Sequence, residues 1–160
     1  MKQAILIVLG LMVVIFLIYL AFHSYTTLEN GLPPRVVCTS QDDAYNQAGG
    51  KQAIPVRGTG SMAPYVPLSP TGDITAYVVA SGEGYDAIKT GKLCIYRASW
   101  TTPPNQPVMH QAATQDADGW VMSGLNTTYS EATWRVNQSN FIAIVAKTYI
   151  WSASAEPTAR

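Results

Sequence analysis

The chain has 160 residues, which is enough for one domain with a single hydrophobic core. Charged residues make up only 12% of the chain, the formal net charge is zero, and no run of Lys or Arg is present. Nucleic-acid binding requires a basic surface to offset phosphate charge, so no nucleic-acid partner is expected.

Residues 4–22 form an uninterrupted apolar stretch without a charged side chain. About 20 apolar residues in a helix match a bilayer hydrocarbon core of about 30 Å, so the stretch predicts one membrane-spanning helix. Lys2 and the α-amino group precede it, and the positive-inside rule then places the N-terminus in the cytoplasm and residues 23–160 outside. The lipid bilayer is therefore an expected partner of this single-pass membrane protein.

A cleaved signal peptide is the alternative interpretation of the apolar stretch. The apolar region of such a peptide is usually shorter, at about 7–15 residues. Ala21 lies near the end of the stretch, but position 19 is Tyr, so the small-residue pattern of a cleavage site is incomplete. An uncleaved anchor over residues 1–23 is therefore favoured, and both interpretations export the remainder of the chain.

The exported part divides by composition. Residues 24–50 are predicted to be a polar connector that contains the breakers Pro33-Pro34 and Gly49-Gly50. Residues 51–151 are predicted to be a mostly β domain, because short runs rich in β-branched and aromatic residues alternate with Gly, Pro and Asp. These runs are 74–79, 93–96, 119–122 and 141–145, with a further short strand or turn at 132–136. A small polar tail, 152–160, is expected to fray.

Two cysteines, Cys38 and Cys94, allow one disulfide if the domain lies in an oxidising compartment. The favoured alternative is a free buried thiol at Cys94, within the apolar run 93–96. Spacing along the chain does not decide between the two, because a bridge requires Cα atoms within about 7 Å of each other.

A serine lies in a segment suited to a tight turn. Residues 56–64 read Val-Arg-Gly-Thr-Gly-Ser-Met-Ala-Pro, with Ser61 directly after Gly60. Glycine permits the backbone angles of a turn that exposes the serine hydroxyl and directs backbone N–H groups at a developing oxyanion. Taken alone, this pattern is typical of an ordinary turn.

Four blocks together resemble the signal peptidase I family. Gly60-Ser61-Met62-Ala63-Pro64 resembles the box around the family's serine nucleophile, and residues 85–97 resemble a family strand with its preceding turn. Val108-Met109-His110 resembles the segment that ends in the general base, and residues 119–126 resemble the strand that leads into a Gly-Asp-Asn box. The blocks follow the family's order over about residues 54–147, behind an N-terminal apolar segment.

The resemblance implies a signal-peptidase-like β domain with serine endopeptidase activity. Its substrates would be membrane-presented precursor proteins, cut after small residues of the Ala-x-Ala type. Ser61 would be the nucleophile and His110 the general base, as in the endoplasmic-reticulum and archaeal form of the family, where His replaces Lys. Imidazole suits this role because it accepts a proton near neutral pH without deep burial. Thr59 would help the Ser61 amide to bind the oxyanion.

The sequence also departs from the family pattern. The Gly-Asp-Asn box is Gly124-Leu125-Asn126 here, so its Asp is missing. Counting onward places Glu131 at a second acidic position of the family, where it would orient the imidazole of His110; a solvated loop carboxylate is the alternative. The residues after His110 are Gln111-Ala112 instead of Arg-Val. These departures leave open a catalytically inactive domain that acts as a binding or assembly protein.

The distance between Ser61 and His110 discriminates between the two hypotheses, because a catalytic pair requires about 3–4 Å. A dedicated maturation protease of the conjugative-pilus type is a further alternative, but that type resembles the Ser–Lys form more closely. No metal or cofactor is expected. Two histidines without a cysteine cluster do not form a metal-binding pattern, and Gly58-Thr59-Gly60 lacks the Lys-Ser/Thr ending of a phosphate-binding loop.

Overall fold

The computed structural model describes residues 31–126 and 133–151. Seven strands within these ranges form one mostly antiparallel sheet, which confirms the mostly β class. They are β1 Arg35–Cys38, β2 Ile54–Arg57, β3 Ile74–Ala80, β4 Leu93–Ala98, β5 Gln106–Asp116, β6 Gly119–Ser123 and β7 Phe141–Trp151. The same ranges contain an α-helix, α1, over Gln41–Gln47 and short 3₁₀ turns at Gly50–Gln52 and Tyr85–Ala87.

Three predicted features fall outside the described ranges: the anchor at residues 4–22, Glu131 and the tail at 152–160. Among the helices that the structure does describe, none has the length and apolarity needed to cross a membrane.

The long strand β7 joins two groups of strands. The sheet order is β2-β3-β7-β4-β5-β6, and β1 pairs in parallel with β7 outside this path. Residues 141–144 of β7 pair with β4, whereas residues 145–150 pair with β3. Through β3, strand β7 connects to β2 and to the turn at residues 58–67 that contains Ser61, called here the serine turn. Through β4, it connects to β5, which carries His110.

The core forms two clusters of buried side chains. One gathers residues from β4, β5, β6 and β7 around Tyr96 and Met122, both fully buried. The other packs α1 against β3 and β7 through Ala44, Tyr77 and Trp151, with the last two rings stacked at 5.4 Å. Residues 93–96 are 0% exposed, as expected for a continuous apolar strand that is covered on both faces.

The second half of the predicted connector forms regular structure, since β1 and α1 lie within it. Helix α1 is only 7 residues long, so it shows no helical period in the sequence. Its start is nevertheless defined by capping: Ser40 Oγ accepts from the Asp43 N–H at 3.1 Å, and the Asp43 carboxylate accepts from the Thr39 N–H at 3.0 Å. Within the predicted connector, residues 35–38 are therefore a strand and residues 41–47 a helix.

Cys38 and Cys94 are both free and buried, so the free-thiol alternative is the one observed. They belong to different core clusters, because Cys38 lies opposite Trp151 and Cys94 lies opposite Ile144, far apart along β7. Burial raises the pKa of the Cys94 thiol to about 12.

Candidate active site

Ser61 lies in a compact turn that follows β2. The Ala63 N–H donates to the Gly60 carbonyl at 3.1 Å, and the Val66 N–H donates to the Met62 carbonyl at 3.0 Å. Gly60 has φ +94°, a left-handed backbone conformation that side chains other than glycine rarely adopt. The glycine before the serine is therefore required by the shape of this turn, as the sequence predicts.

Gly58 fixes the entrance to the same turn. Its N–H donates to Thr75 Oγ1 at 3.0 Å, and that hydroxyl donates to the Pro67 carbonyl at 2.9 Å. A Cβ on Gly58 would lie 1.7 Å from the Pro67 oxygen, so any side chain here would displace the backbone. The two ends of the segment 58–67 are held together around this close contact, which limits where Ser61 can lie.

His110 extends from β5 toward Ser61. Its Nε2 atom lies 3.0 Å from Ser61 Oγ, within the range expected of a nucleophile and its base. The imidazole is 8% exposed, while Ser61 is half-buried. The structure thus brings together the two residues that the motif comparison selected, although 49 positions separate them in the chain.

The other ring nitrogen of His110 faces Tyr96. Tyr96 Oη and His110 Nδ1 lie 2.9 Å apart, and Tyr96 is fully buried on the neighbouring strand β4. From sequence, Tyr96 is predicted only to lie in the apolar strand at 93–96 and has no expected part in the site. Its role depends on the register of β4 and β5, in which Cys94 lies opposite His110 and Tyr96 opposite Val108, and no sequence signal defines that register.

Two hydrogen-bond donors lie near the Ser61 hydroxyl. Thr59 is exposed, and its Oγ1 lies 3.5 Å from Ser61 Oγ. Within the part of the chain that the structure describes, no acceptor pairs with the Ser61 backbone N–H. Both groups are therefore placed to donate to an oxyanion that forms beside Ser61. Glu131 lies outside the described residues, so its predicted contact with the imidazole stays a prediction.

A cleft of about 470 Å³ opens beside the Ser61–His110 pair. It is lined from three segments: the end of β2 with the serine turn, the loop after β4, and the first half of β5. Half of the lining residues are apolar, namely Val56, Met62, Val66, Trp100, Pro107, Val108 and Met109, and most of the exposed cleft surface is apolar. Polar lining groups are Arg57, Thr59, Thr101, Thr102, Gln106 and the catalytic candidates themselves. The cleft therefore offers a mostly apolar surface next to the Ser61 hydroxyl.

Two strand edges border this cleft. Among the described strands, β2 pairs with β3 alone. β5 pairs with β4 over residues 106–111 but with β6 only from Gln111 onward. On the edge of β5 that faces away from β4, residues 106–110 therefore pair with no described strand. This free edge ends at His110. An extended peptide that adds to a free strand edge gains backbone hydrogen bonds from that edge.

No family model, no curated protein and no solved structure matches this chain.

Proposed function

We propose that this chain is a membrane-anchored serine endopeptidase that cleaves signal peptides or similar leader segments after small residues. The observation that carries the proposal is the 3.0 Å separation of Ser61 Oγ and His110 Nε2 beside an apolar cleft. A nucleophile in contact with its base is the minimal unit for acyl transfer. The rival hypothesis of an inactive binding domain does not require this pairing.

The chemistry follows from the positions of the two side chains. Ser61 Oγ attacks the carbonyl carbon of the scissile peptide bond while His110 Nε2 takes the hydroxyl proton. The tetrahedral intermediate collapses when the protonated imidazole gives that proton to the leaving amine, which leaves an acyl ester on Ser61. Water then attacks the ester with His110 again as the base, so that the carboxylic acid product leaves and Ser61 recovers its proton.

The oxyanion of each tetrahedral intermediate is stabilised by the Ser61 N–H and by the Thr59 hydroxyl. The 3.5 Å separation of Thr59 Oγ1 from Ser61 Oγ supports this assignment, because the oxyanion forms on a carbon bonded to Ser61 Oγ. Removing one such donor typically lowers the rate by about 10²–10³-fold.

The substrate is proposed to bind as an extended strand. The free edges of β2 and of β5 over residues 106–110 both border the cleft, and most of the exposed cleft surface is apolar. A preference for small residues before the cut rests on the motif resemblance. The proposed anchor at residues 4–22, with the N-terminus in the cytoplasm, would keep the domain at the outer membrane surface where such precursors emerge.

The test is cleavage of a membrane-presented precursor by the purified full-length chain in liposomes. We expect a precursor with an Ala-x-Ala site to yield a product whose N-terminus follows the second Ala. The Ser61→Ala variant should yield none, while the matched control Ser99→Ala, an exposed serine outside the cleft, should cleave like wild type. Equal cleavage by Ser61→Ala would refute the proposal, and binding of several precursors without cleavage would favour the inactive-domain hypothesis.

A further inference from the structure

The contact between Tyr96 and His110 has the geometry of a second, specific interaction with the imidazole. Tyr96 Oη lies 2.9 Å from Nδ1, on the opposite side of the ring from the Ser61 contact at Nε2. The ring centroids are 6.2 Å apart and the rings are tilted by 52°, so the residues meet through the hydroxyl group and are not stacked. The imidazole therefore has a defined partner at each nitrogen.

Tyr96 is enclosed by the sheet and by the core. Its strand β4 pairs with β5 on one edge and β7 on the other, where Tyr96 lies opposite Val108 and Phe141. Its side chain is 0% exposed and belongs to the core cluster around Met122. A partner fixed by the backbone on both sides positions the imidazole without further loss of side-chain freedom on substrate binding.

We propose that Tyr96 is a positioning residue that holds His110 as the Nδ1–H tautomer, with the Nδ1–H donating to Tyr96 Oη. The catalytic consequence rests on the proposed protease function. A triad-type serine protease uses a carboxylate in this place. Here a phenol hydroxyl from a neighbouring strand does the same work of orientation and tautomer selection.

The direction of this hydrogen bond decides whether His110 is able to act as a base. If Nδ1–H donates to Tyr96, the Nε2 lone pair faces Ser61 and accepts its proton. If the Tyr96 hydroxyl instead donates to Nδ1, the ring proton resides on Nε2 and points at Ser61, and the imidazole is in the wrong tautomer. A carboxylate avoids this ambiguity because it only accepts, whereas a hydroxyl does both.

The tautomer is measurable by ¹⁵N NMR of the histidine rings, because the chain has only two histidines. The full-length chain in detergent micelles, with ¹⁵N-labelled histidine and a His23→Gln substitution, gives a single ring at His110. We expect Nδ1 to carry the proton and Nε2 to be unprotonated in the neutral ring. A ring with the proton on Nε2 in this otherwise unmodified chain would overturn the proposal without any further variant.

Tyr96→Phe then removes the hydroxyl and keeps the buried ring. We expect the Nε2–H tautomer to become populated and kcat for precursor cleavage to fall by about 10²-fold with KM unchanged, at the lower end of what general-base catalysis contributes. Tyr85→Phe is the matched control: its hydroxyl donates to the Val136 carbonyl at 3.2 Å beside the same core cluster but does not contact His110. It should change neither the tautomer nor kcat.

The tautomer of His110 and the rate of precursor cleavage test the role of Tyr96 separately from the protease function. An unchanged tautomer in Tyr96→Phe, or equal effects of Tyr96→Phe and Tyr85→Phe, would reduce Tyr96 to a core residue and overturn the inference. A tautomer change in Tyr96→Phe together with no cleavage by the wild-type chain would support the role of Tyr96 and count against the protease function.

Discussion

The backbone N–H of Asn126 donates to the Ser61 carbonyl at 2.8 Å. The Asn126 side-chain amide also approaches the Gly60 carbonyl at 3.4 Å. Strand β6 ends at Ser123, and the next residues return to the serine turn and hold it from outside. The segment Gly124-Leu125-Asn126 therefore helps to hold the turn that carries Ser61.

Replacement of Gly58 by Ala should destabilise the domain through the serine turn. The new Cβ would lie 1.7 Å from the Pro67 carbonyl oxygen, which is a backbone atom and moves only with the whole segment. Overpacking of this kind lowers the free energy of unfolding by about 1–3 kcal/mol. Urea denaturation of wild type and of Gly58→Ala measures this difference in the free energy of unfolding. Gly58→Ala should also lose precursor cleavage, because Ser61 is displaced.

Gly84→Ala is the matched control for this prediction. Gly84 has an extended backbone, and a Cβ built there has open space around it. It should unfold at the same urea concentration as wild type or slightly above. Equal stability of Gly58→Ala and Gly84→Ala would contradict the close packing described for the serine turn.

Arg35 ties the first strand to the serine turn. Its Nη1 donates to the Pro64 carbonyl at 2.7 Å and its guanidinium lies 5.9 Å from the centre of the Tyr65 ring. Arg35→Met should lower the free energy of unfolding by about 1 kcal/mol, since the bond is exposed and the carbonyl regains water. We expect a several-fold loss of kcat as the turn loosens, measured beside Lys51→Met as an exposed cationic control. Wild-type kcat in Arg35→Met would show that the contact does not position Ser61.

The Cys94 thiol should be unreactive in the folded protein. It is 0% exposed, and burial raises its pKa to about 12, so almost no thiolate forms at about pH 8. Peptide mass spectrometry after iodoacetamide treatment should show Cys94 unmodified in the native chain and modified in urea. Rapid native modification, or a Cys38–Cys94 disulfide in the non-reduced protein, would contradict the buried free thiol.

The strands that are predicted correctly from sequence are those whose own residues favour β structure. β3, β4, β6 and the start of β7 are runs of β-branched and aromatic residues, and each is buried. β5 has no such signal, because most of the residues in Gln106–Asp116 are polar. It forms a strand because β4 and β6 pair with it, so tertiary context overrides its weak local preference. β1 and β2 have only 4 residues each, too few to show a period.

The candidate site divides in the same way. Ser61 and His110 are predicted from motif blocks, because each block is a short contiguous segment that is recognisable in the sequence. Tyr96, Asn126 and Arg35 reach the site because the fold brings distant segments together. Their contacts depend on strand register and on where the chain returns to the serine turn, and neither is visible in the sequence. The sequence therefore indicates the two proposed reacting groups but not the residues that position them.

The most direct test of the central claim is a double-mutant cycle on Ser61 and His110, measured as the rate of precursor cleavage in liposomes. If the two residues act as one unit, Ser61→Ala and His110→Ala should each lower the rate by about 10³-fold or more, and the double variant should be no slower than either. His23→Ala, which removes the other histidine, should retain the wild-type rate. Full activity in His110→Ala, or losses in the double variant that multiply those of the single variants, would contradict a nucleophile–base pair.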